Sequence, residues 1–278
     1  MIYKAMTILK IKNPYNAKVC HEETVESTME CSRLLAKKGE PHGSVIVCDF
    51  QEQGRGRIRG RQWQTERNEG LMFTVLLRYP KTEDIPAALS LRTGLAAAAA
   101  IEDFTPSLKN KVKIKWPNDI IAGSKKIAGI LCEADGGIVH IGIGINITQK
   151  TFPAPLSEKA GSISLAAGID IETEKRFTLL EKILSRLYAE LETPQGNEQH
   201  WKSRIEERLY KKNENVIFIE GQAGSEKKIQ GRLISISESG ELMIIPEGET
   251  SARSFVTGEL VLKDSHGAHG GTEHTEGN

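Results

Sequence analysis

The segment 53–63, QGRGRIRGRQW, has a composition that suits a loop closing over an anionic ligand. It interleaves arginines and glycines, namely Arg55, Arg57, Arg59 and Arg61 with Gly54, Gly56 and Gly60. Arginine presents a planar, permanently charged guanidinium that matches phosphate and carboxylate groups, and glycine lets the backbone approach a ligand closely. A solvated loop and an RNA-binding Arg/Gly segment are the alternatives. A Walker phosphate loop is excluded because the sequence has no GxxxxGK[ST] pattern.

The segment 115–119, KWPND, places an amide beside a carboxylate where a short strand ends. Asp119 offers oxygens that suit a divalent cation, and Asn118 can orient a phosphate or a ribose. Pro-Asn-Asp is also ordinary turn chemistry. Taken alone, the segment therefore predicts a turn.

A lysine and a glycine stand out in the strand-like segment 125–131, KKIAGIL. Lys126 lies at the start of the strand, where an ammonium can reach a carboxylate or a phosphate, although most lysines are simply solvated. Strict alternation places Lys126 on the face opposite to Gly129. Glycine inside a strand often marks the close approach of a ligand or of another backbone.

The segment 140–148, HIGIGINIT, predicts a strand with two different faces. Four isoleucines form a core face, whereas the opposite face carries Gly142, Gly144 and Asn146. A face without bulk can admit a flat organic molecule, or it can receive a closely packed helix. A dinucleotide-binding fingerprint is excluded because GxGxxG must open a helix, and the third glycine is missing here.

The elements around these segments indicate an α+β fold. Hydrophobic periodicity and turn residues predict strands over 44–50, 71–78, 112–115, 126–134 and 138–148. Helices are predicted from Ser27 or Thr28 to about Gly39, over 89–104, and around 156–167, 172–191 and 199–210. Glycine-punctuated β segments follow Lys212 and predict a small all-β barrel. We therefore expect a main domain over 1–212, a barrel over 213–262 and a disordered tail over 263–278.

Composition limits the classes of function. Lys plus Arg and Asp plus Glu number 37 each, so no basic excess marks a general nucleic-acid-binding surface. The four cysteines form no CxxC pair, which favours reduced thiols. No apolar run approaches the roughly 18 residues of a membrane span, and the N-terminal sequence lacks a signal-peptide pattern. We expect a cytoplasmic protein.

Taken in order, these motifs resemble those of a known family. EST at 26–28, Gln51 with the Arg/Gly run, KWPND, KKIAGIL and GIGIN are together similar to the catalytic domain of biotin protein ligases, whose fold is related to class II aminoacyl-tRNA synthetases. Each motif is weak alone, whereas the ordered set is specific. The resemblance covers about residues 22–150, and the terminal β module resembles the small barrel that ends this family.

The resemblance implies a two-step reaction. Biotin attacks the α-phosphate of ATP to give biotinyl-adenylate and pyrophosphate. A lysine of a biotin carboxyl carrier protein or domain then attacks this mixed anhydride. ATP and biotin are thus the implied substrates, with Mg²⁺ as the implied metal, and the enzyme needs no Ser or Cys nucleophile of its own.

Residue by residue, the resemblance implies three groups. Biotin contacts are expected from Ser27, Thr28, Gln51, Gly54, Arg55 and Gly129. Contacts to ATP or the adenylate are expected from Arg57, Arg61, Trp63, Asn118, Lys126, Gly142, Gly144 and Asn146. Catalytic roles are expected for Arg57, Lys126 and Asp119, and Asp119 is also the expected Mg²⁺ ligand.

The sequence departs from the family pattern at two places. Ile58 and Arg59 stand where the Arg/Gly run usually has one residue, so the resemblance assigns no role to Arg59. Met29 stands where the family often has asparagine.

About 20 residues precede the matched segment, too few for the helix-turn-helix domain of some members, so we expect no sequence-specific DNA binding. The family includes monomers and dimers, which leaves a homodimer open.

Two rival functions remain. A lipoate or octanoate ligase of the same superfamily carries a different glycine-rich loop, so the arginine-rich run favours biotin. An RNA-binding protein would show strong, salt-sensitive affinity for RNA. An RNA-binding function would leave the KWPND and GIGIN motifs without a role.

Overall fold

The computed structural model describes residues 6–58, 60–154, 156–193, 201–221 and 226–261. Arg59 and the predicted tail 263–278 lie outside the described residues. The strands are β1 (Thr7–Ile8), β2 (Val19–Val25), β3 (Ser44–Gln51), β4 (Gly70–Arg78), β5 (Val112–Lys115), β6 (Asp119–Ala122), β7 (Lys125–Asp135), β8 (Ile138–Asn146), β9 (Asn215–Glu220), β10 (Lys227–Ile236), β11 (Leu242–Pro246), β12 (Arg253–Phe255) and β13 (Glu259–Leu260). The helices are α1 (Thr28–Lys37), α2 (Leu89–Phe104), α3 (Ile163–Ala167), α4 (Arg176–Leu191) and α5 (Trp201–Arg208).

An eight-stranded mixed sheet forms the main unit. Its strand order is β1-β2-β3-β4-β8-β7-β6-β5. Strands β2 and β3 are parallel, and the other neighbours are antiparallel. Helices α2 and α4 cover one face over an apolar core, and α1 covers the other. The predicted combination of a mixed sheet with flanking helices is confirmed.

Helix α1 begins where its sequence signal predicts. Ser27 is the N-cap, and its hydroxyl accepts a hydrogen bond from the Met29 backbone N at 3.3 Å. The cap satisfies a backbone donor that the first helical turn leaves unpaired. Gly39 follows the helix at φ +79°, which suits a residue without a Cβ. The cap therefore fixes Ser27 and Thr28 beside the end of β3 and against β4.

A β-bulge in β7 changes the predicted direction of Lys126. Ile120 pairs with Ala128, but Ile121 pairs with Lys126, so Ile127 is an extra residue in the ladder. A bulge shifts the alternation of the side chains that precede it. The predicted placement of Lys126 on the face opposite to Gly129 is therefore wrong, because a Cβ added to Gly129 would lie 3.2 Å from the Lys126 Nζ.

Two other local predictions are also corrected. Residues 116–118 form a turn that contains a cis Trp116–Pro117 peptide, but Asp119 then opens strand β6, which the sequence did not indicate. The helix predicted around 156–167 is confined to α3. Residues 156–159 form turns instead, and Ala160 bridges to Lys126: Lys126 N donates to Lys159 O at 2.8 Å and Gly161 N donates to Lys126 O at 2.9 Å.

The C-terminal strands form a second sheet that shares a core with the main unit. The order is β12-β11-β10-β9-β13, all antiparallel. Phe218 on β9 is fully buried against Trp116 and Phe255, with ring centroids 5.9 Å and 4.9 Å away. The Trp116 Nε1 also donates to Gly240 O at 3.0 Å. None of the described helices is both long and apolar enough to cross a membrane.

Candidate active site

Three glycines on β7 and β8 form a bare floor, which we call the glycine floor (Gly129, Gly142 and Gly144). Gly129 and Gly144 are directly paired across the two strands. A Cβ added to Gly144 would lie 2.6 Å from the Trp63 ring, and one added to Gly142 would lie 2.8 Å from the Met29 Sδ. Both distances are too short for real side chains, so the two glycines allow Trp63 and Met29 to rest directly on the sheet.

A buried polar wall stands beside the glycine floor. The Thr28 backbone N and hydroxyl both donate to the Gln51 Oε1, at 2.8 Å and 3.1 Å. The hydroxyl of Thr74 donates to that of Thr28 at 2.9 Å. Because hydrogen bonds hold each of these groups, the wall is pre-oriented rather than adaptable. Thr74 was not predicted as a site residue, although it pairs with Gly142 across β4 and β8.

Residues 54–58 and 60–63 form the two sides of a small hairpin, which we call the flap. Trp63 N donates to Gly54 O at 3.0 Å, Gly56 N donates to Arg61 O at 2.9 Å, and Arg55 and Gln62 form a bridge between these pairs. A Cβ on Gly54 would lie 2.4 Å from Trp63 O, so only glycine fits there. The predicted Arg/Gly loop is thus an ordered hairpin over the glycine floor, with Trp63 at its base.

The flap arginines reach two different parts of the protein. Arg55 forms an ion pair with Glu30 on α1. Arg57 donates to Gly258 O at 2.7 Å, and Arg61 pairs with the Glu259 carboxylate at 2.8 Å. Burial lowers the pKa of Arg57, although nearby Glu259 opposes this. The second sheet therefore takes part in the site, which the sequence did not predict.

A chain of alternating charges runs along the edge of the site. The Lys126 Nζ lies 2.6 Å from one Asp119 oxygen, and the Lys115 Nζ lies 3.6 Å from the other. Lys115 also lies 4.0 Å from the Glu259 carboxylate. Burial lowers the pKa of Lys115, and the two carboxylates oppose this. Lys115 was not predicted, although it is the direct cross-strand partner of Asp119.

Two predicted asparagines act mainly as braces between backbone segments. The Asn118 Nδ2 donates to Ile130 O at 2.7 Å, which ties the turn after β5 to β7. The Asn146 Nδ2 donates to Gly161 O at 2.9 Å, and its side-chain oxygen is buried without a hydrogen-bond partner. Asn118 still lines the site, whereas the Asn146 side chain binds the backbone of the segment that precedes α3.

Two adjoining cavities bring most of the predicted residues together. The first, about 60 Å³, is lined by Ser27, Thr28, Gln51, Arg55, Arg57, Trp63, Asn118, Lys126, Gly129, Gly142 and Gly144, and also by Met29. The second, about 510 Å³, is lined by Arg57, Arg61, Trp63, Asn118, Asp119 and Lys126 together with Lys115 and Glu259. The first is narrow because Trp63 and Met29 occupy the glycine floor. Arg57, Trp63 and Lys126 line both, so they stand at the junction.

The charges of the site do not form a ready metal centre. Across the part of the chain that the structure describes, no group of three or more His, Cys, Asp or Glu side chains could hold a metal ion. Both oxygens of Asp119, the expected Mg²⁺ ligand, face lysine ammonium groups. The four cysteines are free thiols, as predicted, and none lines these two cavities.

The sequence is similar to known ligases over its N-terminal half. The profile of the Biotin/lipoate A/B protein ligase family matches residues 22–148. The bifunctional ligase/repressor BirA of Bacillus subtilis is 36% identical over 160 residues, which cover 55% of this chain and 48% of that protein. The biotin–[acetyl-CoA-carboxylase] ligase of Mycobacterium tuberculosis is 33% identical over 174 residues, 61% of this chain and 60% of that one. The chain thus spans about half the length of the Bacillus relative.

The similarity in three dimensions extends further along the chain. A solved structure of the biotin protein ligase from Aquifex aeolicus in complex with biotin and ATP matches with a TM-score of 0.70 and 28% sequence identity. The match covers 87% of this chain and 97% of that one. Because the family profile ends at residue 148, the structural match also includes elements of the C-terminal half.

Proposed function

We propose that the chain is a biotin protein ligase, because its residues 22–148 match the profile of the biotin/lipoate A/B protein ligase family. It would activate biotin with ATP and transfer it to a lysine of a biotin carboxyl carrier protein or domain. The observation that carries the proposal is the flap over the glycine floor, with Arg57 and Lys126 at the junction of the two cavities. The Aquifex relative, which binds biotin and ATP, supports the choice of acid and nucleotide.

The first cavity is the proposed site of the biotin rings. Ser27, Thr28, Gln51 and Arg55 supply the hydrogen-bonding groups that a ureido ring requires, with Gly54 and Gly129 leaving room beside them. Trp63 rests on the glycine floor, so the flap must lift before biotin enters and close again over it. Closure excludes water from a reactive anhydride.

The second cavity is the proposed site of ATP. A carboxylate oxygen of biotin attacks the α-phosphorus, and the P–O bond to pyrophosphate breaks with its electron pair leaving on pyrophosphate. Arg57 and Lys126 stabilise the negative charge that builds on the phosphoryl oxygens. Nucleotide contacts are proposed from Arg61, Trp63, Asn118, Gly142, Gly144 and Asn146, and Asn146 acts through its brace to residue 161.

The second step brings in the carrier lysine. Its amine attacks the acyl carbon, the C–O bond to AMP breaks, and the AMP phosphate takes up the displaced proton. Asp119 lines the second cavity beside Lys126, where a carboxylate attracts and orients the incoming amine. We propose that Mg²⁺ enters as the counter-ion of ATP, because the Asp119 oxygens already face Lys115 and Lys126.

Several finer expectations belong to the same proposal. We propose that the main unit is related to class II aminoacyl-tRNA synthetases and that the second sheet curls into a small barrel. Its five antiparallel strands around Phe218 support the latter. A homodimer and the absence of sequence-specific DNA binding remain predictions, and a gel-shift assay tests the second.

Pyrophosphate release tests the proposed function. We expect release only when biotin and ATP are both present, and mass spectrometry should then find one biotin on a carrier domain. Lipoate and octanoate serve as control acids. Release with either control acid but not with biotin would assign the chain to another branch of the family. Release with no acid, combined with tight salt-sensitive RNA binding, would exclude a ligase.

A further inference from the structure

Both ends of the segment that carries the flap meet at one buried arginine. Asp49 lies near the end of β3, and Asn68 lies shortly before the start of β4. Arg176, the first residue of α4, donates to the Asp49 Oδ1 at 2.6 Å and to the Asn68 Oδ1 at 2.8 Å. Asn68 N also donates to Asp49 O at 3.1 Å. A single guanidinium thus joins both stems of the flap.

The surroundings of Arg176 favour a rigid joint. Its residue exposure is 8%, and its guanidinium lies 4.7 Å from the centroid of the Phe177 ring. The second partner of Asp49 is the His21 Nε2, at 2.7 Å. Hydrogen bonds between charged groups are strong when water is largely excluded, and losing one partner leaves a buried charge uncompensated. The two stems are therefore held at a fixed separation.

Arg176 does not line either cavity of the site. Any effect it has on the reaction must pass through the stems it holds. The backbone bonds from Gly54 to Trp63 and from Gly56 to Arg61 make the flap a hairpin, and the joint at Asp49 and Asn68 holds the two stems from which this hairpin extends. The joint thereby sets where Trp63 and Arg57 come down on the site.

We propose that Arg176 is a positioning residue that sets the resting position of the flap over the glycine floor. The proposal rests on the proposed function only for the identity of the ligand. The contribution of the joint to the position of the flap does not require a ligand, and it can be measured in the ligand-free protein without any reaction.

Limited trypsin digestion of the intact, ligand-free protein tests the joint. Cleavage after Arg55, Arg57 and Arg61 reports how often the flap leaves its closed position, and mass spectrometry identifies each cut. Asn68→Gly is the sharpest variant, because Asn68 has φ +66°, which glycine adopts freely, so the change removes the side-chain contact without strain. Arg176→Lys retains the positive charge next to Asp49 but loses the hydrogen bond to the Asn68 side chain.

We expect flap cleavage severalfold faster in Asn68→Gly and Arg176→Lys than in the original protein. The matched control is Arg92→Lys, which alters a buried pair with Glu190 at 3.0 Å between α2 and α4, away from the flap. Flap cleavage in the control should stay at the original rate even if its melting temperature falls. Equal acceleration in all three variants, in step with lost stability, would show that Arg176 is merely structural.

Kinetics supply a second readout. In Asn68→Gly the KM for biotin should rise severalfold while kcat for pyrophosphate formation changes little, because a misplaced flap weakens closure more than the chemistry. Unchanged KM together with unchanged flap cleavage would overturn the proposal. If no biotin-dependent pyrophosphate forms in any variant, the proposed function fails, but the digestion result still decides the role of Arg176.

Discussion

Lys126 owes its position to a single extra residue in β7. The bulge at Ile127 turns the Lys126 ammonium onto the glycine floor, where it lies 2.6 Å from Asp119 and at the junction of the two cavities. Its neighbour Lys125 points away and donates to Ser157 O at 2.7 Å. The adjacent residues Lys125 and Lys126 therefore have different chemical surroundings.

This contrast makes a matched pair of substitutions informative. Lys126→Ala should slow biotin-dependent pyrophosphate release by about 10²–10³-fold, the range for losing one preorganised group that stabilises the charge of the transition state. Biotin affinity, measured by calorimetry without ATP, should change little. Lys125→Ala should retain the original rate. A Lys126→Ala enzyme with a near-normal rate would remove this residue from the mechanism.

Arg57 connects the chemistry to the second sheet through its bond to Gly258 O. Arg57→Gly should leave adenylate formation partly intact but let the adenylate escape, because the variant loses both charge and cover over the intermediate. Rapid gel filtration after incubation with labelled biotin measures the fraction of adenylate that stays bound. Arg67→Ala is the comparison, since the Arg67 guanidinium donates to Thr24 on β2 at 2.7 Å. Full retention of adenylate by Arg57→Gly would contradict its role.

At the scale of elements, the flap is tied to β13 by the ion pair of Arg61 with Glu259. Burial alone raises the pKa of Glu259, but the hydrogen bond from Arg61 and the charge of Lys115 outweigh it, and the net pKa is lowered. A carboxylate with a lowered pKa in the folded state binds fewer protons there than when unfolded. Its contribution to stability is present above its ordinary pKa and disappears as the pH falls through the lowered value.

The ion pair between Arg61 and Glu259 should therefore contribute less to stability at low pH. Urea unfolding of the original protein and of Glu259→Gln should differ at neutral pH, and the difference should shrink as the pH falls below about 4.3, the ordinary pKa of glutamate. Glu249→Gln alters an exposed pair with Arg253 on the same sheet and should show no such difference. A gap between Glu259→Gln and the original protein that stays constant with pH would disprove this tie.

Local sequence signals predicted elements well only where local interactions decide the structure. The bounds of α2 and β5 were predicted to the residue, because an alanine-rich run favours a helix and the alternating Val-Lys-Ile-Lys segment favours a strand. Strand β6 was missed because the Pro-Asn-Asp segment predicts a turn, although its partners β5 and β7 are its neighbours in sequence. The bridge of Ala160 before α3 was missed because its partner, Lys126, lies far earlier in the chain. Gly258 and Glu259 were missed for the same reason, since about 200 residues separate them from the flap.

At the scale of the whole molecule, the two sheets share one apolar core. Leu91 of α2, Trp116 and Ile205 of α5 pack with residues of the second sheet, among them Phe218 and Leu233. The predicted boundary at residues 212–213 separates the sheets in sequence, but the core crosses it. We therefore propose that the division into a main domain and a barrel describes architecture rather than two independently stable units.

Cooperative unfolding tests this view with one substitution on each side of the boundary. Phe218→Ala should cost about 3–5 kcal/mol and Leu184→Ala in α4 about 2–5 kcal/mol, because both side chains are fully buried. In each variant, far-UV circular dichroism and tryptophan fluorescence should follow one coincident urea transition, since a shared core makes both sheets unfold together. If the units were independent, Phe218→Ala would produce an early transition involving only the second sheet, and Leu184→Ala would leave that sheet's midpoint unchanged.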